Sequence, residues 1–201
     1  NIVAPFSKMA KLKLQEVAKM NLPIDMICPS HGLIWRDHPE QIVEQYRKWA
    51  DNYQENQVSI VYDTMWNSTR RMAETIAEGL KEADPGVTVK LFNASKSDKT
   101  DIVTEVFRSK AIVMGSPTVN NGYLYAIAGI LVKGAKFKNK KAAAFGSYGW
   151  SGEALALING ELKDAGFDVV DEGRRINWVP DEAALDEMRA YGRILAAKFQ
   201  S

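Results

Sequence analysis

The chain has 201 residues, with 26 Lys and Arg against 25 Asp and Glu and a formal charge of +1. Hydrophobic residues make up 46% and charged residues 25%, a globular mix with room for one well-buried core and part of a second unit. Interspersed charges of both signs leave no footprint for nucleic acid or an anionic membrane, and no uncharged apolar run reaches the ~18 residues of a membrane span.

The chain opens on Asn1, without Met or a charged-then-apolar leader, and is expected to be a piece of a longer protein. Met9, Leu12, Glu16, Val17 and Met20 fall near helical spacing and predict an amphipathic helix. Pro23 ends it. Residues 24–28 form a short apolar run that predicts a lone strand, and Pro29-Ser30-His31-Gly32 turns the chain. Cys28, in that run, is the single cysteine: it reads as a buried small hydrophobe, and with no internal disulfide possible a cytoplasmic compartment is expected. Pro39 suits a first helical position, and Ile42, Val43, Tyr46 and Trp49 give the next helix one apolar face. One strand between two helices cannot bury both its faces, so residues 1–57 are expected to complete a domain whose main part lies elsewhere.

From Val58 to Ser201 strands and helices alternate. Strands are predicted at 58–62, 87–92, 111–115, 141–145 and from 167 onward. Helices are predicted at 70–83, around 102–107, and at 124–132, 153–165 and 181–199, the last with Leu185, Met188, Ile194 and Leu195 inward. Strict alternation predicts an α/β domain, a parallel sheet with helices on both faces. Ligands bind such a sheet outside the carboxyl ends of the strands, so the turns after the first, third and fourth strands matter most.

The first turn, Asp63-Thr64-Met65-Trp66-Asn67-Ser68-Thr69, crowds three hydroxyls and an amide at a helix start, where free N–H groups and the positive dipole end favour an anion. The plain alternative is helix capping by Ser, Thr and Asn. The second turn, Gly115 to Tyr123, has Pro117 and Gly122 to fix its shape, with Thr118 and Asn120 as hydrogen-bonding groups. In the third, Gly146, Gly149 and Gly152 permit close backbone approach, and Tyr148 and Trp150 offer flat faces among Ser147 and Ser151. Singly, each reads as an ordinary strand-to-helix turn. Together they offer a phosphate seat, an amide edge and stacking surfaces on one rim, which fits FMN. Neither a P-loop nor a dinucleotide glycine fingerprint follows the first strand, and no histidine follows Ser151 to make a hydrolase triad.

These three turns, together with Ile27-Cys28-Pro29-Ser30-His31-Gly32-Leu33-Ile34-Trp35-Arg36 and Tyr46-Arg47-Lys48-Trp49 upstream, resemble the flavodiiron protein family over essentially the whole chain, and most its flavorubredoxin branch of anaerobic nitric oxide reductases. The resemblance implies a flavodoxin-like five-stranded sheet of order 2-1-3-4-5 over residues 58–201. Residues 1–57 would be the C-terminal part of a metallo-β-lactamase-like di-iron domain. It implies FMN held by Thr64, Met65, Trp66, Asn67, Ser68, Thr69, Pro117, Thr118, Asn120, Gly146, Ser147, Tyr148, Gly149, Trp150, Ser151 and Gly152. His31 matches the last iron-ligating histidine. Electrons would pass from rubredoxin, or a rubredoxin domain served by an NADH-dependent reductase, through FMN to a di-iron site that reduces NO to N2O, or O2 to water in some members. A head-to-tail homodimer or homotetramer is implied as well. The other iron ligands and the paired cysteines of a rubredoxin tail are absent from this sequence, so this chain alone is expected to bind FMN without reducing nitric oxide. No catalytic side chain is expected beyond bound FMN. A free-standing flavodoxin-type carrier or an FMN quinone reductase is the alternative, weakened by the upstream segment; a signalling receiver lacks its acidic cluster. His38 reads as a turn residue, and the basic stretches 136–141 and 173–175 as solvated turns.

Overall fold

A computed structural model describes residues 6–51, 53–130 and 137–200. Two compact units divide the chain, Ile2–Tyr53 and Gln54–Ser201. In the smaller, Met9, Leu12 and Val17 share helix α1 (Ser7–Lys19), as their spacing predicts, yet α1 buries no residue. The apolar run 24–28 does not form the predicted strand. It supplies one antiparallel bridge, Ile27 with Trp35, closed by backbone hydrogen bonds of 3.0 and 2.9 Å. A strand needs a partner along its length, and among the described residues this run meets one only at Ile27. Pro39 stands just before helix α2 (Glu40–Ala50) rather than inside it, and an ion pair joins Lys11 of α1 to Asp51 at the end of α2. Leu12, Val17, Leu33 and Ile34 of this unit are exposed, and so is Cys28, expected to be buried: among the described residues its run pairs only at Ile27.

The larger unit runs β1 (Glu55–Tyr62), α3 (Ser68–Ala83), β2 (Thr88–Asn93), α4 (Lys99–Arg108), β3 (Ser109–Gly115), β4 (Thr118–Val119), β5 (Gly122–Tyr123) and α5 (Tyr125–Ala128). It continues with β6 (Lys141–Tyr148), α6 (Ala154–Asp164), β7 (Asp168–Val169), β8 (Arg174–Asn177) and α7 (Glu182–Lys198). All strands of the main sheet pair in parallel, in the order β2-β1-β3-β6, with β7 and then β8 along the far side of β6. This is the expected 2-1-3-4-5 order, with the fifth strand in two pieces. The break falls at Asp171-Glu172-Gly173. Gly173 adopts φ +98°, and a Cβ there would lie 2.4 Å from the Ala144 carbonyl oxygen, so the chain jogs against β6 instead of pairing straight through. The predicted helix 124–132 is also shorter than expected. It stops at Gly129 after the four residues of α5, and 131 and 132 lie outside the described residues.

Alternation along β1 sends Val58, Ile60 and Tyr62 into one core with Met72, Ile76 and Leu80 of α3 and Met188, Tyr191 and Leu195 of α7. Val61 enters the opposite core with Ile102 of α4, Ile112 of β3 and Ile158 and Leu162 of α6. In α7, Tyr191 takes the inward place expected for Ile194, which is exposed: the buried face runs Leu185, Met188, Tyr191, Leu195. The 3.6-residue period leaves Ile194 a quarter-turn away from Leu195.

The linker between β7 and β8 is anchored through Asp171, whose side chain is 9% exposed. Its carboxylate accepts from Lys198 Nζ at 2.5 Å, from Gly173 N at 2.9 Å and from Tyr191 Oη at 3.2 Å. Burial alone would raise this carboxyl's pKa, but the Lys198 ammonium and the two further donors hold it below the ordinary value. A depressed carboxyl stabilises the fold above its unfolded pKa and loses that contribution as pH falls through the folded value. Asp171→Asn is therefore expected to lower unfolding free energy by about 1–3 kcal/mol at pH 7. In urea titrations at successive pH values, the gap to the parent should narrow only below about pH 4. A gap independent of pH would refute this role.

Candidate functional site

Strand order reverses between β1 and β3: the chain leaves β1 toward β2 on one side and β3 toward β6 on the other. Their carboxyl ends therefore open a crevice, lined by the segments that follow β1, β3 and β6. Backbone bonds stitch the three segments together. Asp63 N donates to Gly115 O at 3.0 Å, and Ser116 N donates to Phe145 O at 3.2 Å. A Cβ on Gly146 would lie 2.1 Å from Ser116 O, so only glycine lets β6 pass this close to the turn after β3.

In the first segment, Asp63 is buried and both its oxygens are engaged, Oδ1 by Thr64 N at 2.9 Å and Oδ2 by Ser95 Oγ at 2.5 Å. It shapes the floor of the loop. Above it, Asn67 adopts φ +66° as the residue before α3, and its side chain makes no capping bond. Helices α4 and α7 differ: Asp98 accepts from Thr100 N at 2.7 Å and Asp181 from Ala184 N at 2.9 Å. The hydroxyls of the first segment are thus not spent on capping. Thr64 Oγ1 is buried with no hydrogen-bond partner, and Ser68 and Thr69 are buried at the first turn of α3. A buried hydroxyl without a partner costs free energy unless something polar meets it, and the positive end of α3 selects an anion for that role. Met65 and Trp66 stand outside, Trp66 84% exposed.

In the second segment, the Ser116 hydroxyl donates to Pro117 O at 2.8 Å and accepts from Leu124 N at 2.9 Å. These bonds close the base of a hairpin, β4–β5, in which Thr118 pairs with Tyr123. Asn120 and Asn121 turn it, with φ +48° and +58°, the left-handed pair of a type I′ turn. This hairpin is absent from the sequence expectations; the Asn120-Asn121 dipeptide is the signal that could have found it. Asn120 thus sits at the tip of a defined projection.

The third segment begins inside β6, which runs three residues beyond its predicted end and buries Ser147 beside Thr69, Oγ to Oγ1 3.4 Å. Trp150 is 87% exposed, and Gly152 turns the chain at φ +80° toward α6. The Arg175 guanidinium lies 5.1 Å from the Tyr148 ring centre and donates to Ser151 O at 3.2 Å. Arg174 and Arg175 therefore open strand β8 rather than form the turn expected, and Arg175, though exposed, braces this loop. Lys140 departs from expectation too: it is buried, donates to Phe107 O at 2.9 Å and Ser109 O at 2.5 Å, and burial lowers its pKa to about 8.

Residues 64–69 and 117–118 thus follow the ends of β1 and β3, and 146–152 span the end of β6, three adjoining strand ends. Asp63, Ser95 and Trp178 join them without having been singled out from sequence: Asp63 and Ser95 act through the fold, and Trp178 arrives from beyond β8. His31 belongs to the smaller unit, exposed, with Nδ1 3.0 Å from Ser30 Oγ. Among the described residues no three His, Cys, Asp or Glu side chains gather as a metal site.

An anion seat, two uncovered indoles and a polar hairpin on one rim define a mononucleotide-binding α/β domain, and the flavodoxin family matches residues 60–192: the chain belongs to that family. Membership implies FMN as the cofactor, and the orphaned Thr64 hydroxyl, the uncapped α3 and the flat faces of Trp66 and Trp150 fit that group. Beyond the flavodoxin domain, the chain is 50% identical over 201 residues to the anaerobic nitric oxide reductase flavorubredoxin of Aliivibrio salmonicida, covering 99% of this chain and 40% of the relative. The structure of rubredoxin oxygen:oxidoreductase from Desulfovibrio gigas superimposes with TM-score 0.90 at 32% identity, over 98% of this chain and 50% of that one. The flavodiiron protein of Giardia intestinalis gives TM-score 0.87 at 29% identity, over 98% and 50%. The likeness to flavodiiron proteins read from the sequence therefore holds along the chain, which spans two fifths of the flavorubredoxin it matches.

Gly146→Ala drives a methyl into the Ser116 carbonyl and should cost about 1–3 kcal/mol of stability in urea unfolding. FMN uptake should weaken with it, because two rim segments are forced apart; parent-like stability and uptake together would rule out the close approach as a constraint on the site.

Proposed function

We propose that this chain is the FMN-binding, electron-transferring part of a larger flavodiiron nitric oxide reductase. The observation that carries this reading is the buried, unpartnered Thr64 hydroxyl beside the uncapped start of α3, with the exposed indoles of Trp66 and Trp150 on the same rim. FMN, when bound, supplies a ring that takes up and releases electrons. The chain's own residues hold and orient it. Thr64, Ser68, Thr69 and the first N–H groups of α3 receive the phosphate, with Asn67 bending the backbone around it and Ser147 alongside. Pro117, Thr118 and Asn120 present a polar rim to the ring edge. Met65, Trp66, Tyr148 and Trp150 supply flanking surface, while Gly146, Gly149, Ser151 and Gly152 let the third segment approach closely. Apolar and aromatic walls exclude water from the ring, which is how the protein sets its potential.

For the smaller unit we propose the C-terminal part of a metallo-β-lactamase-like di-iron domain, spanning 1–57, with flavodoxin-like residues 58–201 after it. Similarity to flavorubredoxin across this segment and the exposed Leu12, Val17, Leu33 and Ile34 support an apolar surface made for the remainder of that domain. His31 is its proposed iron ligand. The residues described here do not by themselves make a di-iron centre, so nitric oxide or oxygen reduction is proposed for the longer protein alone. The names of the relatives favour rubredoxin, or a rubredoxin domain, as electron donor, and an NADH-dependent reductase is proposed to supply it. A head-to-tail homodimer or homotetramer in the cytoplasm completes the proposal. Among the described residues no helix is long and apolar enough to cross a membrane.

Purified protein offered FMN should show the flavin absorption bands after gel filtration and release FMN on denaturation. Trp66→Ala, Trp150→Ala and the pair Ser68→Ala with Thr69→Ala should each weaken retention, the pair by tenfold or more, since hydrogen bonds to a charged group are worth about 1.5–3 kcal/mol. Undiminished affinity in all three would remove the site assignment. His31→Ala should leave flavin content unchanged while lowering iron content in the longer protein; equal iron in variant and parent would reject the ligand role.

A further inference from the structure

A fourth element reaches the third loop, and none of the three strand-end turns contains it. Trp178 follows β8 directly, and its backbone N–H donates to Tyr148 O at 2.8 Å. Asn177 Nδ2 donates to the same oxygen at 3.4 Å. Trp178 adopts φ +57°, the left-handed region that a bulky side chain enters only when its surroundings impose it, and such residues cluster at functional sites. The ring held in this way lies across the backbone of Gly149, where a Cβ would be 2.9 Å from Trp178 Cη2. Its other neighbour is Trp150, at 5.3 Å between ring centres and 63° between planes, the edge-to-face arrangement that the aromatic quadrupole favours. Trp150 is 87% exposed, and among the described residues Trp178 is its aromatic partner. Trp178 is itself 58% exposed, so burial does not repay the strained backbone.

We infer that Trp178 is a positioning residue for the flavin: from its left-handed turn it sets the plane of Trp150, which then meets the ring of FMN in one orientation. This inference rests on the FMN reading above. A free indole 87% exposed has several rotamers, and stacking against a ligand must first order it. Edge contact with Trp178 orders it beforehand, so less entropy is lost on binding. The glycine at 149 completes the device, because any larger residue would displace the Trp178 ring from beneath Trp150.

The test separates this role from a contribution to folding. Trp178→Gly, Trp178→Ala and Trp178→Phe are titrated with FMN by fluorescence quenching, in the parent and in a Trp150→Ala background, with visible circular dichroism of the bound flavin as a second signal. Glycine accepts φ +57° without strain, so Trp178→Gly should keep or raise the thermal midpoint. Its Kd for FMN should nonetheless rise about fivefold to tenfold, and the induced dichroism should fall. Trp178→Phe should recover most of both signals. In the Trp150→Ala background Trp178→Gly should add nothing further. Parent-like Kd and dichroism in Trp178→Gly, or an undiminished effect in the Trp150→Ala background, would overturn this inference alone. A parent that takes up no FMN would overturn the functional reading as well.

Discussion

Helix α3 starts without a side-chain cap, although Asp63, Thr64 and Asn67 just before it are of types that cap well, and the rest of the site is arranged around that start. Asn67 is turned into the left-handed region, Ser68 and Thr69 are already helical, and Thr64 Oγ1 is buried facing no partner. A folded chain rarely leaves both a helix start and a buried hydroxyl unanswered. Aspartates cap α4 and α7, whereas α1, α2, α5 and α6 start without a side-chain cap as α3 does; what marks α3 is the buried, unpartnered Thr64 hydroxyl beside its start. On the proposed reading, the donors at α3 are kept for an anion.

What keeps them in place is the sheet. Asp63 binds Thr64 N and Ser95 Oγ from below, and its own N–H ties β1 to Gly115 at the end of β3. Ser116 ties β3 to β6, and Gly146 lets those two backbones touch. The anion seat, the hairpin and the aromatic loop are therefore one backbone-bonded rim. On the reading proposed above, a ligand held at its phosphate by the first segment would meet the ring surfaces of the third without any large movement, the preorganisation that suits an electron carrier.

Strand–helix alternation made the parallel sheet legible, because strands buried on both faces leave nearly continuous apolar runs such as Val58–Tyr62 and Ala111–Gly115, while its order came from the likeness to flavodiiron proteins. The three loops were legible for a related reason: the topology fixes where ligands bind, and the hydroxyls, glycines and aromatics stand in those turns. Other features depend on tertiary context that no local pattern carries. The break between β7 and β8 arises where Gly173 meets the Ala144 carbonyl, and Lys140 looks like a surface lysine until the carbonyls of Phe107 and Ser109 close on it. Ile194 and Tyr191 both sit near the apolar stripe of α7, and only packing chooses between them. Trp178 was invisible as a site residue, since nothing in Ile176-Asn177-Trp178-Val179 reveals that its ring folds back over Gly149.

The central claim is that a phosphate is the group this rim was built to receive. Calorimetric titration of the purified chain with FMN and with riboflavin, which carries the same ring and no phosphate, tests it most directly. The account predicts one FMN per chain and a riboflavin affinity lower by on the order of a hundredfold, from two or more lost charge-assisted hydrogen bonds. Equal affinity for the two flavins would contradict it.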